Sequence, residues 1–153
     1  VVCSDSVHQG IKTDTSGKLL THLLEEQGLQ HIDYAVVPDE VEAIQRQLEY
    51  FKEDGIDLLV FTGGTGLSLR DVTPEAVTPY ISKFIPGVME TARQYGQQRV
   101  KTAMLSRGIA GFADKMLVLT LPGSSSGVQE SMAALFPQLL HVFQVKANLP
   151  HEG

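Results

Sequence analysis

The chain has 153 residues, of which 42% are hydrophobic and 20% charged, and this composition is typical of one globular domain with a buried core. Its formal net charge of −6 argues against nucleic-acid binding, which normally needs a basic surface. The single cysteine, Cys3, excludes a disulfide framework, and the five histidines lack the spacing of a zinc site. With no apolar run of membrane-spanning length and no signal region at the start, we expect a cytoplasmic protein without membrane contacts.

Apolar runs alternate with amphipathic segments along the whole chain. Five runs predict strands, in chain order residues 1–3, 32–37, 58–61, 102–105 and 116–121. Residues 58–61 are apolar throughout, as expected for a strand inside a parallel sheet that is covered on both faces. The chain begins inside the first of these strands and without methionine, so we expect that it was trimmed or excised from a longer or fused polypeptide.

Start and stop signals place five helices between and after these strands. Ser16 is a suitable N-cap for a helix that ends at Gly28, and Asp39 opens the next helix with an acid in its first turn. Thr73 and Pro74 form a strong helix start. The fourth helix is predicted from residue 86 to about residue 95. The fifth follows the loop at 121–127 and extends to about residue 145. Residues 148–153 are predicted to be a frayed tail.

This alternation predicts a single α/β domain over residues 1–153, with a doubly wound, mostly parallel sheet and helices on both faces. Ligands of such sheets bind beyond the carboxyl ends of the strands. Four polar or glycine-rich loops follow predicted strands and should meet at that edge, namely residues 4–6, 38–40, 63–71 and 123–127. We therefore expect the functional site there.

The third of these loops carries the clearest chemical signal. It begins with Gly63, Gly64, Thr65 and Gly66 and continues to Arg70 and Asp71. Closely spaced glycines turn backbone N–H groups toward a ligand and suit phosphate oxygens, while a carboxylate beside them suits Mg²⁺. The loop matches neither a Walker A loop nor a dinucleotide fingerprint, because no Lys-Ser or Lys-Thr follows and Leu69 replaces the third glycine. A tight strand-to-helix turn is the alternative interpretation.

Six motifs together resemble the molybdopterin adenylyltransferase family, which includes the bacterial MogA and MoaB proteins and the G domain of gephyrin. They occur in order and with compatible spacing over essentially the whole chain. The motifs are Ser4-Asp5-Ser6, Asp14-x-Ser16-Gly17, Val37-Pro38-Asp39-Glu40, Thr62-Gly63-Gly64-Thr65-Gly66 with Arg70-Asp71-Val72-Thr73-Pro74-Glu75-Ala76, Met104-Leu105-Ser106-Arg107, and Leu121-Pro122-Gly123-Ser124 with Gln129-Glu130.

The resemblance implies a three-layer α/β fold, a homotrimer and a role in molybdenum cofactor biosynthesis. The implied reaction is the Mg²⁺-dependent transfer of AMP from ATP to the terminal phosphate of molybdopterin, with release of pyrophosphate. A molybdenum-insertion enzyme is the implied partner. A molybdopterin-binding module of a fused cofactor-synthesis protein, with weak or no catalysis, is the main alternative. A metal-insertion enzyme fits less well, because its glycine loop continues differently and it carries further domains.

The resemblance also assigns residues. Asp39 and Asp71 fall on the family's essential aspartates and are predicted to be catalytic and to bind Mg²⁺, although each could instead cap a helix. The amides of the glycine loop, with Arg70, are predicted to bind nucleotide phosphates. Pterin or phosphate contacts are predicted for Ser4, Asp5, Ser6, Ser106, Gly123 and Ser124. Turn chemistry is the alternative for the first three, and Arg107 could either bind a ligand or pair with an acid.

Overall fold

Residues 1–147 are described by the structure, a computed structural model, and the predicted tail at 148–153 lies outside them. The strands are β1 (Val2–Cys3), β2 (Val36–Val37), β3 (Leu58–Thr62), β4 (Lys83–Phe84), β5 (Ala110–Ala113) and β6 (Met116–Leu121). The helices are α1 (Asp5–His8), α2 (Ser16–Glu26), α3 (Val41–Glu53), α4 (Thr73–Val77), α5 (Pro86–Gln97), α6 (Ser125–Leu135) and α7 (His141–Ala147). Within this range, no helix is long and apolar enough to cross a membrane.

The six strands form one sheet in the order β2-β1-β3-β6-β5-β4. The first four are mutually parallel, whereas β5 runs antiparallel to β6 and β4 runs antiparallel to β5. The central pair, β3 and β6, is in register from Leu58 opposite Leu117 to Thr62 opposite Leu121. The predicted α/β fold with a mostly parallel sheet is confirmed.

Hydrophobic clusters cover both faces of the sheet. Because side chains alternate along a strand, Phe61 of β3 packs into one cluster and its neighbour Val60 into the other. The first cluster is completed by the apolar faces of α3 and α4, and the second by α2 and α6. Cys3 is buried in the first cluster, and burial raises the pKa of its thiol to about 11. The cysteine is thus a core residue.

Two predicted strands differ from the structure. Of residues 32–37, only Val36 and Val37 pair as a strand. The prediction of a strand at 102–105 is wrong, because Ala103–Leu105 forms a 3-10 turn in which Met104 and Leu105 are exposed. The strand that pairs with β6 on the side away from β3 is β5, whose Ala-Gly-Phe-Ala sequence has weak strand propensity. Gly111 is needed there because a Cβ atom would lie 2.5 Å from the Lys83 carbonyl oxygen of β4.

Three helix predictions also need correction. Residues 4–6, predicted as a loop, include the start of α1, which Ser4 caps by accepting a hydrogen bond from the Val7 amide at 3.3 Å. Helix α2 begins at Ser16 with Thr15 as its N-cap, so Ser16 is the first helical residue and not the cap. The predicted last helix is divided at Pro137, which cannot donate a backbone hydrogen bond, into α6, a short 3-10 turn and α7.

Candidate functional site

The carboxyl ends of β1, β2, β3 and β6 lie at one edge of the sheet, because these strands are parallel. A cavity of about 410 Å³ opens at this edge. Loops from all four strands line it, and seven of the predicted site residues are among the lining residues, namely Ser4, Asp39, Gly63, Gly64, Asp71, Gly123 and Ser124. The four loops therefore meet as the sequence predicts.

The glycine loop is held against its neighbours so tightly that two of its residues must be glycine. Gly63 and Gly64 have φ angles of +100° and +70°, in the left-handed region that side chains disfavour. A Cβ atom on Gly63 would lie 2.3 Å from the Cys3 carbonyl oxygen, and one on Gly64 would lie 2.2 Å from Thr73 Oγ1. The Thr73 hydroxyl donates to the Gly63 carbonyl at 2.9 Å. The loop is thus a tight turn that also brings bare backbone to the cavity.

Asp71 lies at the far end of this loop and is held by local hydrogen bonds. Its Oδ2 accepts from the Ser68 amide at 2.9 Å. Arg107 fixes the backbone around it, donating from Nε to the Gly66 carbonyl at 2.8 Å and from Nη2 to the Asp71 carbonyl at 2.9 Å. Arg107 also forms an ion pair with Glu75 and thereby lowers the pKa of that carboxyl group. Arg107 could either bind a ligand or pair with an acidic side chain, and in the structure it pairs with Glu75.

Asp39 and Asp5 connect the loops after β2 and β1 by two reciprocal hydrogen bonds. The Asp5 amide donates to Asp39 Oδ2 and the Asp39 amide donates to Asp5 Oδ1, each at 3.0 Å. Arg70 then donates to both carboxylate oxygens of Asp5 at 2.9 Å. This fork lowers the pKa of Asp5. Arg70 is consequently oriented by Asp5 and does not line the cavity.

The two predicted catalytic aspartates face the same cavity. Burial raises the pKa of Asp39, and the negative charges of Asp5 and Asp71 raise it further. Within residues 1–147, no group of three or more His, Cys, Asp or Glu side chains is arranged to hold a metal ion. A cation at this edge would therefore have at most two protein carboxylates and would need oxygens from a ligand and water.

Positive potential at the cavity comes from two helix N-termini. Helices α2 and α6 begin beside it, and the Thr15 and Ser125 hydroxyls lie 3.4 Å apart across their first turns. Ser124 caps α6 by accepting from the Gly127 amide at 3.0 Å. Lys12 also lines the cavity. These groups supply local attraction for anions in a chain whose net charge is −6.

Asp14 is a lining residue that the sequence reasoning did not select. It is only 6% exposed, and its Oδ1 accepts from the Gly17 amide at 2.9 Å. Its Oδ2 accepts from the Tyr34 hydroxyl, and burial together with this contact raises the pKa of Tyr34 to about 12. Asp14 belongs to the Asp-x-Ser-Gly motif, which was the signal available, but Tyr34 is 20 residues away and its contact is not visible in the sequence.

The remaining predicted residues are not among those that line this cavity. Thr65 is buried, and its carbonyl accepts from the Arg107 amide at 2.9 Å, while the Ser6 hydroxyl lies 3.2 Å from that of Ser4. Ser106 lines a second cavity of about 190 Å³ between α5 and α6. Ser124 lines both cavities, so the two spaces adjoin at this residue.

Comparison with known proteins identifies the protein family that has this fold and site. Residues 1–141 match the family model described as a probable molybdopterin binding domain, and the chain belongs to that family.

Individual relatives agree with this assignment. The molybdopterin adenylyltransferase of Helicobacter pylori is 40% identical over 139 residues, which cover 89% of this chain and 79% of that protein. The molybdenum cofactor biosynthesis bifunctional protein of Chlorobaculum tepidum is 36% identical over 143 residues, covering 94% of this chain but only 46% of its own length. A crystal structure of a molybdopterin biosynthesis protein from Mycobacterium abscessus superposes with a TM-score of 0.91 at 35% identity, covering 95% of this chain and 92% of that one.

Proposed function

We propose that this domain acts in molybdenum cofactor synthesis by transferring AMP from ATP to the terminal phosphate of molybdopterin, with release of pyrophosphate. The observation that carries the proposal is the shared cavity, where Asp39 and Asp71 lie beside the glycine-loop backbone and two helix N-termini. The named activity of the Helicobacter relative supports the same reaction.

The donor groups at the cavity fit Mg²⁺. This ion prefers oxygen ligands and is usually held by one or two carboxylates, with substrate phosphates and water completing its shell. Asp39 Oδ2 and Asp71 Oδ2 each accept a backbone hydrogen bond, which orients both carboxylates. Among the described residues, the Oδ1 atom of each receives no hydrogen bond, so one oxygen of each is available. When bound, Mg²⁺ would neutralise phosphate charge during the transfer.

The protein has to bring two polyanions together and stabilise charge on the leaving pyrophosphate. The attacking phosphate oxygen is already anionic, so no general base is required. Backbone amides of the glycine loop and the N-terminus of α6 bind the phosphates, and Asp39 and Asp71 would hold the Mg²⁺ ion that neutralises phosphate charge. We place the pterin on the side of Ser106. Ser124 lines both the cavity beside Ser106 and the cavity proposed for the phosphates.

Assembly and location belong to the same proposal. The domain forms a homotrimer in the cytoplasm and passes its product to a molybdenum-insertion enzyme. Leu67 and Leu69, next to the site, are 68% and 98% exposed and supply apolar surface for such contacts.

The direct test is incubation with ATP, Mg²⁺ and molybdopterin, with pyrophosphate release as the readout. Asp71→Asn should lower the rate at least about a hundredfold, since one of the two charged ligands is lost. Its unfolding transition should be unchanged, because Asn can still accept the Ser68 hydrogen bond. The matched control, Asp54→Asn at the exposed C-cap of α3, should retain the parent rate. Pyrophosphate release by Asp71→Asn at the parent rate would contradict the role of Asp71.

A binding module is the second candidate, because the chain spans less than half of the Chlorobaculum bifunctional protein. A module would bind molybdopterin and ATP without releasing pyrophosphate. Equilibrium binding measured beside pyrophosphate release therefore separates the two candidates.

A further inference from the structure

Asp5 is a predicted ligand-binding residue that the structure places outside the site cavity. The residues that line the 410 Å³ cavity include its neighbour Ser4 but not Asp5. The Asp5 side chain is 30% exposed, and its carboxylate accepts three hydrogen bonds. One comes from the Asp39 amide and two come from the Arg70 guanidinium. The carboxylate is therefore engaged by groups of the protein itself.

The reciprocal hydrogen bonds between Asp5 and Asp39 continue the pairing of β1 and β2 beyond the ends of the two strands. The last pair of that ladder is Cys3 opposite Val37, and Asp5 and Asp39 each lie two residues further along. Asp5 is the first residue of α1, whose opening amides have no partner within the helix. Asp39 lies before α3, outside both strand and helix. Since each carboxylate accepts the other residue's amide, the two loops are fixed to each other.

Arg70 connects the loop after β3 to the same carboxylate. It donates from Nε to Asp5 Oδ2 and from Nη2 to Asp5 Oδ1, each at 2.9 Å. A bidentate fork of this kind fixes orientation as well as distance. Arg70 directly precedes Asp71 in the chain. Asp5 thus connects the backbone of Asp39 to the residue next to Asp71, and these are the two acids proposed to hold Mg²⁺.

The distance between these two acids matters because the cation tolerates little variation. Mg²⁺ requires near-octahedral geometry, with oxygen ligands at about 2.0–2.1 Å. The free oxygen of Asp39 lies against the glycine loop, since a Cβ atom on Gly64 would be 3.3 Å from Asp39 Oδ1. A shift of the loop after β2 would therefore move this oxygen relative to Asp71. Residues that orient metal ligands typically contribute about 10–100-fold to metal affinity.

We propose that Asp5 is a positioning residue that sets the separation of Asp39 and Asp71 for a divalent cation, acting through the Asp39 amide and Arg70. Asp5 itself touches neither the cation nor the nucleotide. The inference rests on the proposed function, since it concerns the cation of that reaction. It differs from the ligand contact that the resemblance implies for Asp5, because a positioning residue acts by the hydrogen bonds it accepts. Asparagine keeps the acceptor for the Asp39 amide, whereas alanine removes every acceptor.

The test is calorimetric titration with ATP, once in Mg²⁺ and once in EDTA, without molybdopterin. The ratio of the dissociation constant in EDTA to that in Mg²⁺ is the gain in ATP affinity due to the metal. Asp5→Ala should lower this gain about tenfold, as expected when the support of a metal ligand is removed. Asp5→Asn should lower it less than about threefold, because the acceptor for the Asp39 amide remains. The matched control, Asp54→Ala at the opposite end of α3, should keep the parent gain.

Hydrogen exchange of the Asp39 amide is a second readout, which needs neither metal nor nucleotide. In the parent this amide donates to Asp5 Oδ1 at 3.0 Å. Asp5→Ala should therefore speed its exchange about tenfold or more, and Asp5→Asn should speed it less than about threefold. The amides of β3 should keep their protection in both variants, because the sheet core is not altered.

Four results would refute the role of Asp5. They are a parent protein without any gain from Mg²⁺, an Asp5→Ala variant that keeps the parent gain, an Asp5→Asn variant that loses as much as Asp5→Ala, and a loss of protection throughout β3. The third result would mean that the charge of Asp5 matters in place of its hydrogen bonds, and the fourth would indicate general damage to the fold. Because molybdopterin is absent from the titration, a protein that shows the expected gains but releases no pyrophosphate in the complete reaction would contradict the proposed reaction alone.

Discussion

Substitution of Gly64 by alanine tests whether the glycine loop is shaped by its packing. The residue has a φ of +70°, and a Cβ atom there would lie 2.2 Å from Thr73 Oγ1 and 3.3 Å from Asp39 Oδ1. The left-handed conformation costs a residue with a side chain about 1–2 kcal/mol. Displacement of Thr73 would also break its buried hydrogen bond to the Gly63 carbonyl, at about 1–2 kcal/mol. We therefore expect Gly64→Ala to lose about 2–4 kcal/mol of unfolding free energy.

The structure supplies a matched control in Gly28, whose φ is +83° but whose Cβ position has no atom within 4 Å. Gly28→Ala should lose only the conformational contribution, about 1–2 kcal/mol. Urea unfolding of both variants measures the difference, and calorimetric titration with Mg-ATP measures whether the loop still binds. Equal losses for the two variants, or unchanged ATP affinity in Gly64→Ala, would refute the reasoning.

Three further predictions concern the charged residues of the site. Asp39→Asn should raise the unfolding free energy at pH 7. Burial raises the pKa of Asp39 above its ordinary 3.8, so the ionised carboxylate lowers the stability of the fold once the pH has risen through that pKa. The stability gained by Asp39→Asn should therefore shrink as the pH falls toward 3, which denaturation at a series of pH values measures. Arg70→Gln should raise the pKa of Asp5 toward its ordinary value, because the guanidinium fork is lost, and carboxyl chemical shifts followed by NMR titration measure this. Arg107→Lys should lower the free energy of unfolding in urea by about 1–2 kcal/mol and should slow pyrophosphate release. Lysine keeps the positive charge but not the two N–H donors to the Gly66 and Asp71 carbonyls. An unaltered rate of pyrophosphate release would show that these two hydrogen bonds do not position Asp71.

The central elements of the fold could be predicted because their sequences carry strong local signals. Helix α3 has a clear apolar face with Ile44 and Leu48 fully buried, and β6 is apolar except for Thr120 and buried along its whole length. The position of the loops followed from the direction of the parallel strands alone. The roles assigned to Asp39, Asp71 and the glycine-loop residues remain predictions, although the loops that carry them do meet.

The errors occur where neighbours outweigh local propensity. The Ala103–Leu105 turn is apolar in sequence, yet its side chains are largely exposed, so hydrophobicity alone was misleading there. Strand β5 was missed because Gly111 and the alanines around it are weak strand formers, and its pairing depends on the close approach of β4. Asp14 was overlooked for the same kind of reason, since its buried state depends on the distant Tyr34.

The hydrogen bonds between the site loops join residues that are far apart along the chain. Asp5 and Asp39 are 34 positions apart, Arg70 and Asp5 are 65 apart, and Thr15 and Ser125 are 110 apart. Such long loop closures are slow, so this edge of the sheet should be among the last regions to become ordered as the chain folds. Nucleotide affinity should accordingly develop late in refolding and should be a sensitive measure of how much of a preparation has reached the native state.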